Sequence, residues 1–288
     1  MTNGVPVLPQ HHHSPPNPRT GELQRGGWYS WLFWGIVAIF YLYEFFVRVT
    51  PNVILPELSA DLDADAASIG SAMSFYLWVY APAQLIVGWL FDRFGTKYLV
   101  SSAAIICGGG CVVFALADTL AIAGLARGLI GFGSAFAFVG AVYVATVWFP
   151  PSRLALIAGI TTSVGMVGEI AGQVPVAVLV RDFSWPTVVL WTGVIGGGLG
   201  LLMGLVIPRR PSWFSASVAS HESESAGLFH SLGWVLMNPQ MWLIGFVSAV
   251  VYLPLSVLAA LWGTTSLEVM SSLDQQQASL AISMLAVG

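Results

Sequence analysis

Apolar residues along this chain come in long unbroken blocks. The blocks fall at about 30–53, 67–91, 98–117, 119–147, 154–180, 185–207 and 238–262, and an eighth begins near 276. An α-helix needs about 20 apolar residues to cross a bilayer. The pattern therefore predicts an all-α membrane protein with seven full spans and part of another. Unequal block lengths suit helices that tilt. Between the blocks lie polar segments. Residues 1–27 are rich in Pro, His and Gly and read as a disordered tail. Residues 208–237 open with Pro208-Arg209-Arg210-Pro211, continue through a Ser/Glu/His stretch, and read as a linker. The expected organisation is a tail, a six-helix bundle over 28–207, the linker, and the start of a second bundle over 238–288.

Composition agrees with the pattern. Of 288 residues, 56% are hydrophobic and only 8% are charged, against about a quarter charged in soluble domains. The first apolar block is too long for a signal peptide and is expected to serve as an uncleaved anchor. Basic residues set the orientation. With the N-terminus in the cytoplasm, Arg19, Arg25, Arg93, Lys97, Arg153, Arg209 and Arg210 lie inside, and only Arg181 lies outside. The first outer segment carries Glu57, Asp61, Asp63 and Asp65 and no basic residue. The expected location is the inner (plasma) membrane, multi-pass. Cys107 and Cys111 share one helix face and read as small buried side chains. Two thiols are too few for a metal site, and the His11-His12-His13 run reads as a solvated stretch.

Four charged residues fall inside the predicted spans: Glu44 and Arg48 in the first, Arg127 in the fourth and Glu169 in the fifth. A charge at that depth is costly unless paired or wet. Their signs sum to zero, and all four lie between the midplane and the outer third. That level agreement predicts a paired cluster. Glu44 and Arg48 are four apart and share a face with Tyr41. A static ion pair that fixes packing is one reading; a substrate or proton site is the other, and intramembrane ionisable groups favour it.

Tyr76, Tyr80, Gln84 and Gly88 recur at intervals of four and form one polar stripe on the second span. Such a stripe lines a cavity or bonds a neighbouring helix. Ser248, Tyr252 and Ser256 make a similar stripe on the seventh span, with Pro254 as a kink. Glycines four apart (Gly124 with Gly128, Gly168 with Gly172, Gly196 with Gly200) predict close helix contacts.

The segment Gly88-Trp89-Leu90-Phe91-Asp92-Arg93-Phe94-Gly95-Thr96-Lys97 resembles the signature G-x-L-x-D-R-x-G-R-K of the major facilitator superfamily. It matches at Gly88, Leu90, Asp92, Arg93, Gly95 and Lys97 and departs at Thr96, where a basic residue is usual. The resemblance implies a conformational latch made of Gly88, Asp92, Arg93, Gly95 and Lys97, with Gly88 giving close packing and Gly95 a tight turn. Arg127-Gly128-Leu129-Ile130-Gly131-Phe132-Gly133 is similar to the family's R-x-x-Q-G-x-G pattern, with Ile130 in place of Gln. For Arg127 this implies proton transfer or anion binding. The segment around Gly165-Met166-Val167-Gly168-Glu169 lacks the drug–proton antiporter pattern. Tyr43-Glu44-Phe45-Phe46-Val47-Arg48 and Leu253-Pro254-Leu255-Ser256 resemble a bacterial branch that includes nutrient transporters of intracellular pathogens. The family fold has twelve helices in two bundles with the solute between them, so the chain is expected to be a fragment or the product of a shortened gene.

The expected function is proton-coupled alternating-access transport of a small polar or anionic metabolite. Glu44, Arg48, Arg127, Glu169, Tyr41, Tyr80, Gln84 and Tyr252 are the candidate solute or proton groups. The expected partners are a solute, protons and the lipid bilayer, with missing C-terminal helices or a partner chain completing the pathway. No cofactor or metal is expected. All five histidines (11, 12, 13, 221 and 230) lie outside the spans, which argues against an intramembrane enzyme. No basic patch supports nucleic-acid binding. A non-transporting sensor or an inactive remnant is the alternative.

Overall fold

A computed structural model describes residues 26–208, 233, 236–257 and 271. All but the last two residues of the predicted tail, most of the linker, the histidines and the eighth block lie outside these residues.

Each of the first six blocks is a helix. They are α1 (Trp28–Val53), α3 (Ala66–Phe94), α4 (Thr96–Ala115), α5 (Leu120–Trp148), α6 (Leu154–Asp182) and α7 (Trp185–Val206). These six are long and apolar enough to cross a membrane. The seventh block contains α8 (Pro239–Val257). Between α1 and α3 lies a short helix, α2 (Leu55–Asp61), in a segment expected to be a plain outer loop. Its signals were present in the sequence. Pro56 sits in its first turn and Glu57 complements its N-terminal dipole. Leu58 anchors it and is fully buried.

Helix ends follow local chemistry. Asp65 caps α3 by accepting from the Ser68 N–H at 2.8 Å. Thr119 caps α5 through the Ile122 N–H at 3.4 Å. Gly95 separates α3 from α4 at φ +74°, a left-handed conformation that favours glycine, and its N–H closes α3 on the Phe91 carbonyl at 2.9 Å. The expected tight turn is therefore present.

The bundle is built by pairing. α1 lies along α6, α3 along α5, and α4 along both α7 and α5, while α1 also crosses α5. Helices in lipid gain little from hydrophobic exclusion, so close van der Waals contact through small residues holds them. A Cβ on Gly168 would run into the Leu42 carbonyl, and one on Gly172 would lie 2.6 Å from the Phe46 carbonyl. α1 and α6 thus touch through backbone. Gly200 sits equally tight against Ser101, and Gly196 against the Tyr43 ring.

The Gly124–Gly128 pair makes ordinary rather than tight contact with α3. A Cβ on Gly128 would only graze Val79 at 3.4 Å, and one on Gly124 would meet Ala72 at ordinary distance. The tight backbone contacts of α5 are at Gly131, against the Tyr76 carbonyl, and Gly133, 2.5 Å from the Ala103 carbonyl. They were missed because they are two apart and serve opposite faces, one toward α3 and one toward α4. Gly88, expected to give close packing, is exposed, and a Cβ there would meet no described atom within 4 Å.

Large apolar side chains such as Trp78, Leu77, Leu125, Trp191 and Leu205 are exposed on the bundle surface. Such a coat suits lipid rather than water.

Candidate functional site

The polar centre of the bundle starts from one turn of α1. Glu44 and Arg48, four residues apart, form an ion pair at 2.6 Å between Oε1 and Nη2. Glu44 is fully buried, whereas the Arg48 side chain is 25% exposed. From α3, Tyr76 donates its hydroxyl to Glu44 Oε1 at 2.5 Å, and Arg48 Nε donates to the same hydroxyl at 3.2 Å. One carboxylate oxygen, one hydroxyl and one guanidinium thus form a closed triangle. Glu44 Oε2 has no hydrogen-bond partner among the described residues.

Aromatic rings box the Arg48 guanidinium. Phe45, Tyr80 and Tyr76 lie 4.5, 5.1 and 5.6 Å from it. Tyr76 and Tyr80 are one helical turn apart and stack at 5.6 Å between centroids. Gln84, half-buried one turn further on, reaches Tyr80. The α3 stripe therefore faces the ion pair. A cation held over aromatic faces gains up to about 2 kcal/mol when desolvated.

Arg127 of α5 is placed differently. It is 4% exposed and lies behind the Tyr76 ring, 4.7 Å from its centroid. It donates to two main-chain carbonyls of α1, Val47 O at 3.2 Å and Arg48 O at 3.3 Å. Of the four intramembrane charges, Glu44 and Arg48 are the two that form an ion pair. The predicted four-charge cluster is thus one pair plus an arginine on backbone. Glu169 of α6 is half-buried and within the electrostatic reach of Arg48 but makes no ion pair with it. Tyr41 is buried against Phe45 and Phe138, at 5.0 and 5.3 Å, in an aromatic contact between α1 and α5. Tyr252 lies on α8, and its side chain is outside the described residues.

A small cavity adjoins Arg127, lined also by Val47, Thr50, Pro51, Cys111 and Thr192. Its accessible volume of about 10 Å³ gives room for about one water. The two cysteines are unpaired and buried. Cys111 Sγ lies 3.6 Å from the Tyr43 hydroxyl, and Cys107 Sγ lies 3.7 Å from Ser134 Oγ. Among the described residues no three His, Cys, Asp or Glu side chains gather as a metal site would need.

At the other end of α3, the signature residues surround the Gly95 turn. Asp92 and Arg93 are exposed, and Lys97 is half-buried. Arg93 lies over Trp89 and Phe94, at 5.5 and 5.8 Å.

Sequence reasoning placed Tyr76 on the polar stripe but chose Tyr80 and Gln84 as site residues. Tyr76 is the one that bridges Glu44, Arg48 and Arg127. The signal available was its register, which puts it outermost on the stripe, at the level of the charges. Pro51 was also passed over, although a proline one turn after Val47 removes that carbonyl's helical donor.

Six apolar helices packed through glycines around a buried ion pair define a multi-pass α-helical membrane protein. The profile described as Major Facilitator Superfamily matches residues 32–288, and the chain belongs to that family. It is 25% identical over 222 residues to a probable sulfoacetate transporter of Cupriavidus necator, covering 74% of this chain and 51% of that protein. It is 23% identical over 270 residues to a membrane sensor protein of Salmonella typhimurium, covering 88% of this chain and 60% of that one. A probable galactarate/D-glucarate transporter of Bacillus subtilis is 26% identical over 57% of this chain and 38% of its own length. The chain thus spans about half the length of the curated relatives it matches. A bacterial homolog of the human lysosomal transporter Spinster, solved inward-facing and unoccupied, superposes with a TM-score of 0.68 at 17% identity, over 91% of this chain and 60% of that one. That likeness shows the fold.

Proposed function

We propose that this chain supplies the first bundle of a secondary carrier for small organic anions in a bacterial inner membrane, with its N-terminus in the cytoplasm. The observation that carries the reading is the Glu44–Arg48 pair, in which the carboxylate is sealed and the guanidinium is partly open. A solute carboxylate or sulfonate approaching that open side competes with Glu44 for the same cation. A buried carboxylate that loses its counter-charge is stabilised by taking up a proton. Solute binding and protonation are then linked through one guanidinium, which is the requirement for symport. Tyr80 and Gln84 line the approach, and Glu169 offers a second carboxylate near Arg48. Two relatives named for sulfoacetate and for galactarate or D-glucarate support the anionic class. The segment Gly88–Lys97 acts as the latch between conformations, and helices beyond α7 complete the pathway.

The test is uptake into vesicles holding the complete protein, with an inward proton gradient and a panel of small sulfonates and dicarboxylates. Gradient-driven uptake that is lost in Arg48→Lys is expected, because an ammonium cannot reproduce the planar, ring-stacked guanidinium. No uptake of any anion, or full uptake by Arg48→Lys, would overturn the proposal.

A second reading has its own observation. The Salmonella relative that covers 88% of this chain is named as a sensor. A sensor would bind the same anion at Arg48 and move none of it. Saturable binding without accumulation in the vesicles would establish that reading.

A further inference from the structure

Arg127 presents a mismatch between charge and surroundings. It is almost wholly buried, yet it has no carboxylate partner among the described residues. Both of its terminal nitrogens are spent on main-chain oxygens of α1. An explanation lies one turn further along that helix, at Pro51. In an α-helix the carbonyl of residue 47 accepts from the N–H of residue 51. Proline has no N–H, and its ring pushes against the carbonyl four residues back. Val47 O is therefore the one acceptor within this stretch of α1 that the helix itself cannot serve. An orphaned carbonyl inside a bilayer is strongly disfavoured. Arg127 Nη1 donates to that oxygen, and Nη2 reaches the next one. The small cavity beside Arg127 is lined by the same Val47, Thr50 and Pro51, so it lies at the same break.

We propose that Arg127 is a positioning residue: it splints α1 across the proline break and so fixes the turn that carries Glu44 and Arg48. It acts through backbone rather than by touching solute. Its guanidinium also lies against the Tyr76 ring, so the same splint backs the hydroxyl that holds Glu44. The planar fork of arginine suits this task because two donors leave it side by side. The proposal goes beyond the transport reading and assigns Arg127 a different task from Arg48.

The proposal makes residues 51 and 127 interdependent, which a double-variant cycle measures. Pro51→Ala returns an N–H to Val47 O and removes the need for the splint. Thermal unfolding of the detergent-solubilised chain can be followed by maleimide fluorescence, since Cys107 and Cys111 are unpaired and buried until the bundle opens. Arg127→Gln is expected to lower the midpoint by on the order of 5 °C in the Pro51 background, and by much less in the Pro51→Ala background. Where Arg127→Gln fails to insert, Arg127→Lys, which keeps the charge and loses the fork, takes its place in the cycle. Losses that simply add in the two backgrounds would overturn the proposal. This readout involves no solute, so its failure is distinct from failure of the transport reading. In the complete protein, Pro51→Ala is also expected to restore uptake to Arg127→Gln, to within about twofold of Pro51→Ala alone. Restored stability with uptake still absent would show that Arg127 meets the solute, and would equally overturn the positioning role.

Discussion

Tyr76 and Glu44 are joined by a 2.5 Å hydrogen bond across the α1–α3 contact, the shortest link in the polar centre. The carboxylate's other oxygen has no partner among the described residues, so this hydroxyl and Arg48 hold Glu44 between them. Replacing Tyr76 with Phe keeps the ring over Arg48 and against Arg127 and removes only the hydroxyl, which donates to Glu44 and accepts from Arg48 Nε. A buried acceptor left short of a partner costs about 1–3 kcal/mol. The expected result is a lower unfolding midpoint with the helical signal retained. A Tyr76→Phe protein as stable as the parent would mean that Arg48 alone satisfies the carboxylate.

Glycine contacts allow a paired comparison. Gly168→Ala puts a methyl group into the Leu42 carbonyl of α1, so the two helices must part. Overpacking of this kind costs about 1–3 kcal/mol. Gly198→Ala, on α7, adds its methyl to open space and is expected to be neutral or slightly stabilising through helix propensity. Thermal midpoints of the two variants, measured side by side, separate contact from propensity. Equal effects would show that α1 and α6 do not touch as described.

Asp65 predicts a pH effect outside the membrane. The Ser68 side chain and backbone N–H both bond the Asp65 carboxylate and hold its pKa below the ordinary range. A group whose folded pKa is depressed stabilises the fold above its unfolded pKa and loses that contribution as pH falls through the folded one. The cap is thus fully effective at neutral pH and weakens below about pH 4. Asp65→Asn caps without a charge. Its stability relative to the parent is expected to be flat near neutrality and to rise as pH drops below that point. A parallel pair of pH profiles would show that the charge contributes nothing.

The helices were legible because bilayer thickness sets a length that apolar blocks must meet, and Leu120–Trp148 differs by one residue at each end from the block read as 119–147. Gly95 was legible because its role is local. The pairing of charges was not. Opposite signs at one depth suggested mutual neutralisation, but rotation about the helix axis decides which groups meet. α5 turns Arg127 toward the carbonyls of α1, and the orphan acceptor that attracts it arises from the covalent structure of Pro51, not from any charge. The surroundings of Tyr41 were not legible for a related reason. This residue follows the register of Glu44 and Arg48, yet α5 supplies Phe138 at that point and the ring packs there.

The ion pair of α1 closes within a single helical turn, and this bears on how the chain is made. α1 emerges from the ribosome with its opposite charges already matched, before Tyr76 exists and long before Thr161, the acceptor 127 residues later that receives the Trp34 indole N–H. It can enter the lipid as a neutral segment without waiting for a neighbour. Arg127 has no such self-sufficiency, and its acceptors belong to a helix synthesised earlier. The order of translation therefore matches the order of need: the segment that can stand alone is made before α5, and the lone cation arrives when its berth is already built.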